Sequence, residues 1–160
     1  MHIRPFKPGD EGKLAAIFHA AIHQIAAQHY TAEQVHAWAP QIPDESRFLA
    51  RGTDGRTLLV AVDVEDEPLA YGDVEADGHI DHLFCRPDAA GTGITTELYE
   101  SLEEAARAFG ISTLYTEASE PAMRFFLRRG FQMIERNDFE IGGIPIHNYR
   151  MNKRLEPVPA

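Results

Sequence analysis

The chain has 160 residues, 44% of them hydrophobic and 25% charged, which excludes a disordered polymer and suits one domain with a proper core. Fifteen Lys and Arg stand against 25 Asp and Glu, and the formal net charge of −10 disfavours nucleic acid and anionic membrane while mildly favouring cations such as amines. Cys85 is the single cysteine, so no internal disulfide forms; with neither a secretion signal nor a membrane-length apolar run in view, a soluble cytoplasmic protein is expected.

HIRPF alternates apolar and polar residues as a first strand would. Asp10 is then placed to cap a helix on which Leu14, Phe18, Ala21 and Ile25 share a face. TAEQVHAW, Thr31 to Trp38, reads as a second short helix capped by Thr31, and PDESRFLARGTDG as a helical turn leading into a loop. TLLVAVDV and PLAYGDVEA read as two strands, and GHIDHLFCRP as one more.

The next helix carries Leu98, Leu102, Ala105 and Phe109 on one face, with Gly110 where a C-cap belongs. STLYTEA is a strand. SEPAMRFFLRRG is a helix with Ser119 as cap, Pro121 in the first turn and Gly130 at the end. FQMIERNDFEIGGIPIHNYRMNKRL is two strands joined at Gly142–Gly143. This order predicts an α/β mixed sheet with helices on its faces, and only EPVPA looks loose.

Between the strand ending at Cys85 and the following helix lies RPDAAGTGITTEL, Arg86 to Leu98. It lacks the Gly-Lys-Ser/Thr of a Walker loop, and Gly91-x-Gly93-x-x-Thr96 lacks the third glycine of a dinucleotide fingerprint. Two readings stay open on the residues alone: a plain strand-to-helix turn, or a phosphate cradle made of the helix's unpaired N–H groups.

PDAAGTGI followed downstream by SEPAMRFFLRRGF resembles two signature segments of the GNAT superfamily of acetyl-CoA-dependent N-acetyltransferases. TAEQVHAWAP, HIDHLFCRPD, TEAS, FFLRRGF and NYRMNKRL, in that order, are similar more narrowly to a bacterial YafP-like branch. The resemblance implies a single GNAT-like domain over residues 1–155 with a loose tail at 156–160. Its mostly antiparallel sheet would be splayed at the centre, with helices on both faces.

It also implies acetyl transfer from acetyl-CoA to an amine acceptor by direct attack in a ternary complex. The alternative is a GNAT-fold module that binds acetyl-CoA with little or no turnover. A small-molecule or protein amine would be the partner, and a homodimer is possible.

The implied coenzyme residues are Phe84, Cys85, Gly91, Thr92, Gly93, Ile94, Thr95, Thr96, Ser119, Phe126 and Arg128. Ala90, Thr92 and Thr95 depart from the family loop and reduce its positive charge, which implies weaker coenzyme binding. Phe126 stands where many members carry the tyrosine that protonates the departing thiolate. Candidate bases are Asp81 and His82, then Glu117; alternation places His79 and Asp81 on one face and His82 on the other. Tyr30, Trp38 and Tyr149 are candidates for the acceptor wall. His19 and His23 have metal-compatible i,i+4 spacing but lack further ligands, so no metal is expected.

Overall fold

The segment from His79 to Cys85 determines the architecture, because it leaves one sheet and enters another. A computed structural model describes residues 1–156. Its strands are β1 (His2–Pro5), β2 (Thr57–Val62), β3 (Pro68–Val74), β4 (His79–Ile80), β5 (Leu83–Cys85), β6 (Thr113–Ala118), β7 (Gln132–Ile141) and β8 (Ile144–Arg154). Its helices are α1 (Glu11–Gln24), α2 (Ala32–Trp38), α3 (Glu45–Thr53), α4 (Ile94–Ala108) and α5 (Glu120–Arg128). The strands form two four-stranded sheets, β1-β2-β3-β5 and β4-β6-β8-β7. Among the described residues, only β4 and β6 pair in parallel.

The expected single strand over GHIDHLFCRP is therefore two short ones, β4 pairing with β6 and β5 with β3. Asp81 and His82 form the crossing between them and belong to no ladder, so strict alternation fails there.

Each sheet is buried by periodicity. Leu58, Val60 and Val62 of β2 meet Leu14 and Ile17 of α1 and Phe48 of α3 on one face. The other face of the same sheet, through Ala61 and Ala70, meets Ile94 and Leu98 of α4. Tyr99 and Leu102 of α4, with Phe126 of α5, pack on Leu114, Ala118 and Met151 of the second sheet. Helices thus cover both faces of the first sheet, as the resemblance implied.

Several local expectations change. Asp10 occupies the N-cap position of α1 but does not cap it. Its carboxylate instead accepts a bidentate pair from Arg4 (2.8 and 3.0 Å) and the Lys7 N–H (3.0 Å). Ser119 likewise sits at the N-cap of α5 with no cap hydrogen bond.

Phe109 is 75% exposed, because α4 ends there and the chain turns away at Gly110 (φ 77°); the buried stripe is Ile94, Leu98, Tyr99, Leu102 and Ala106. PDESRFLARGTDG folds into the full helix α3 rather than a turn. Thr31 does cap α2, in a reciprocal box with Gln34. Of the expected tail, residues 157–160 lie outside the described part of the chain.

Candidate active site

Where the two sheets part, the ends of β5 and β6 diverge and leave a cleft. Two adjoining cavities fill it, one of 280 Å³ and one of 320 Å³. They share Trp38, Leu83, Phe84, Ser119, Ala122 and Phe126, so β5 and one face of α5 form a common wall.

The larger cavity runs from this wall to the glycine loop, where Cys85, Gly91, Gly93, Thr95 and Thr96 line it. Gly91 and Gly93 have φ of 77° and 87°, the left-handed region that glycine enters without strain. A Cβ added at either would meet nothing within 4 Å, so the loop's upper surface is open. The first intrahelical bond of α4 runs from Glu97 N to Gly93 O (3.2 Å), and the N–H groups of Ile94, Thr95 and Thr96 precede it. No protein acceptor stands opposite them among the described residues, which suits an anion such as a pyrophosphate.

Ile94 itself is buried in the core, so only its backbone can serve a ligand. Thr92 turns its hydroxyl to the Ala89 carbonyl (2.6 Å). Arg86 N donates to Leu69 O on β3 (2.8 Å), so alternation turns the Cys85 N–H toward the cleft. Burial raises the pKa of the Cys85 thiol, which keeps it protonated and a poor nucleophile.

The smaller cavity brings Asp81, His82 and Glu117 together with Tyr30, Trp38 and Phe18. The three polar groups differ in what holds them. Burial works against ionisation of Asp81, but Arg51 Nη2 binds its carboxylate at 2.6 Å and the net effect lowers its pKa. Burial, with the Arg51 charge nearby, pushes His82 down to about 4, so its ring is neutral near pH 7. Its Nδ1 lies 3.0 Å from the Tyr71 hydroxyl.

Tyr71 is fully buried and has no other partner, so the hydroxyl donates to Nδ1 and the ring proton sits on Nε2. His82 is thus a hydrogen-bond donor to the cavity. Glu117 is bound by His79 Nε2 (2.9 Å), whose Nδ1 meets Glu75 (2.8 Å). The Glu117 bond, opposed by burial and aided by Glu75, raises His79 to about 9, so a cation stands behind the Glu117 carboxylate.

Tyr30 fastens the cleft rather than facing it with a free hydroxyl. Its oxygen accepts from Glu120 N (2.8 Å) and donates to His147 O (3.0 Å). Tyr149 and Arg128 line neither cavity. Tyr149 is half-buried and edge-on to His147, while Arg128 is exposed in the last turn of α5. His19 and His23 stack at 4.1 Å, and His23 Nε2 meets the Ala39 carbonyl (2.6 Å). No cluster of three metal-ligating side chains occurs among the described residues.

Arg51, Asp73 and Tyr71, which hold Asp81 and His82, escape a reading of motifs. The one signal was an aspartate inside the apolar run PLAYGDV.

A model of the acetyltransferase (GNAT) domain matches residues 26–153. The chain belongs to the GNAT acetyltransferase family. This GNAT chain is 32% identical over 151 residues to the uncharacterized N-acetyltransferase YafP of Escherichia coli K12, covering 94% of each. It is similar to the crystal structure of a GCN5-related N-acetyltransferase from Rhodopseudomonas palustris at 37% identity and a TM-score of 0.87, covering 96% of this chain and 95% of that one. A phosphinothricin acetyltransferase of the same superfamily from Sinorhizobium meliloti, solved with acetyl-CoA, shares the fold at 17% identity and a TM-score of 0.76, covering 96% and 88%. GNAT enzymes take acetyl-CoA as acetyl donor. The open N–H groups of the glycine loop fit that donor's phosphates. No helix among the described residues is long and apolar enough to cross a membrane.

Proposed function

We propose that this GNAT enzyme acetylates a protonated primary amine carried on an apolar stem, by direct attack on acetyl-CoA within a ternary complex. The observation that carries this reading is the wall of Leu83, Phe84, Ser119 and Phe126 shared by the two cavities, which lets a donor in one meet an acceptor in the other. Phe18, Trp38 and Phe84 supply apolar surface for the stem, and Asp81 and Glu117 supply negative charge for the ammonium.

Glu117 is the proton acceptor: both cavity carboxylates have a cation beside them, but the His79 ring on Glu117 can relay a proton where Arg51 on Asp81 cannot, and the His82 ring presents an N–H. Once the amine is neutral, its nitrogen forms the C–N bond at the thioester carbonyl, the C–S bond breaks, and the proton the nitrogen sheds on becoming an amide passes to the thiolate, directly or through water. The Cys85 N–H, turned to the cleft, serves the developing oxyanion. Phe126 offers the departing thiolate no proton, and a thiol's modest pKa makes that tolerable. Gly91 and Gly93 carry no side chain, and those of Thr95 and Thr96 are small, which leaves the backbone accessible to the donor's phosphates.

The test is thiol release from acetyl-CoA with phenethylamine, spermidine, a lysine peptide and glycine as acceptors. Release stimulated by the apolar or polycationic amines and not by glycine supports the reading. Stimulation by none of them contradicts it.

A further inference from the structure

Asp73 is the one carboxylate of β3, it is fully buried, and the acetyl-transfer chemistry does not use it. Its carboxylate is saturated. Oδ1 accepts the backbone N–H groups of Asp81 and His82, each at 3.0 Å. Oδ2 accepts Arg51 Nη2 (2.7 Å) and Arg56 Nη1 (3.0 Å). The Asp73 N–H donates to the His82 carbonyl at 3.0 Å.

The Asp81–His82 crossing has no ladder of its own, so these bonds replace the pairing it lacks. The same Arg51 Nη2 then reaches Asp81 Oδ2 at 2.6 Å. One buried carboxylate therefore anchors the backbone of both residues and, through a shared guanidinium, one of their side chains.

We infer that Asp73 is a positioning residue for acetyl transfer: with Arg51 it fixes the strand crossing so that Asp81 and His82 face the acceptor cavity. No neutral side chain of the same shape can do this. Asparagine could accept the two N–H groups through its oxygen, but its NH2 would then face two guanidinium donors, leaving like polarity unresolved in a dry site. The charges around the crossing are Asp73, Asp81, Arg51 and Arg56, with the Tyr71 hydroxyl on the remaining side of His82.

The kinetic arm of the test rests on the acetyl-transfer reading; the spectroscopic arm does not. Asp73→Asn is compared with wild type for amide hydrogen exchange at Asp81 and His82, for acetyl-CoA affinity by calorimetry, and for turnover with the most active amine of the panel. The expected result is faster exchange confined to the crossing and unchanged acetyl-CoA affinity. kcat/KM for the amine should fall about 100-fold, the scale of misplaced catalytic groups. Native exchange at both amides, or a loss of turnover matched by an equal loss of acetyl-CoA binding, would overturn the assignment.

If Asp73→Asn does not fold, Arg51→Gln carries the test. Loss of the guanidinium that bridges Asp73 and Asp81 should speed amide exchange at Asp81 and His82 and move the titration of the His82 ring upward from about 4, read by 15N NMR. Native exchange at both amides overturns the proposal. If wild type turns over none of the amines, the acetyl-transfer reading fails, and amide exchange and ring titration still decide whether Asp73 and Arg51 hold the crossing.

Discussion

The Tyr71 hydroxyl and the His82 Nδ1 stand 3.0 Å apart, a core phenol setting the tautomer of a cleft imidazole. Phe18 stacks on that ring at 5.2 Å and Phe84 meets it edge-on at 5.3 Å, so its plane is held as well. Tyr71→Phe removes the donor and leaves Nδ1 buried without a partner. The expected cost is about 1–3 kcal/mol of stability, and 15N shifts should show the ring proton redistributed between the two nitrogens. A His82 spectrum identical to wild type would contradict the assignment of the proton to Nε2.

Glu117 faces the cavity with the His79 cation behind it. Glu117→Gln retains the shape and removes the proton acceptor. Turnover with the best amine should fall by roughly 10²–10⁴, the range for loss of a general base, with acetyl-CoA affinity unaltered. The same substitution should bring the His79 titration down from about 9, since the Glu117 bond is its main support. Undiminished turnover would move the base to Asp81 or to water.

The two histidines tilt stability in opposite directions. His82 stays neutral in the fold until about pH 4 but takes a proton near 6.5 when unfolded, so stability falls as pH drops through that interval. The amount is on the order of 2–3 kcal/mol. His79 keeps its proton to about pH 9 in the fold and loses it near 6.5 when unfolded. Its stabilisation is whole below 6.5 and lost as pH rises through 9. Urea denaturation across pH 4–9 should therefore show a maximum near 6.5, and Glu117→Gln should flatten its alkaline side.

Tyr30 joins the first residue of α5 to β8 through one hydroxyl. Tyr30→Phe leaves the His147 carbonyl without its donor and the Glu120 N–H without its acceptor. A loss of about 1–2 kcal/mol is expected, together with a higher KM for the amine and little change in kcat. Equal kinetics would make Tyr30 purely structural.

How much of this was legible beforehand follows from what each feature depends on. The glycine loop, the Thr31 cap and the Gly142–Gly143 hairpin depend on residues within a few positions of one another, and local chemistry declares them. The crossing at Asp81–His82 does not: HIDHLFC alternates well enough to read as one strand, and only pairing with two different partners, β6 and β3, breaks it. The candidates Asp81, His82 and Glu117 do converge on one cavity. Their individual states depend on Arg51, Tyr71, Asp73 and His79, which reach them from other elements or by register. Arg128 and Tyr149 were placed by sequence position, and neither periodicity nor motif says which face of α5 or of β8 lines the cleft.

The central claim is that acetyl-CoA lies between β5 and β6 with its phosphates on the loop from Gly91 to Thr96. Calorimetric titration with acetyl-CoA of wild type and of Gly93→Asp tests it most directly, because aspartate puts a carboxylate into the open space above Gly93. Binding by wild type, with the signal lost in a folded Gly93→Asp, is the predicted result. Equal binding by both, or none by wild type, would contradict it.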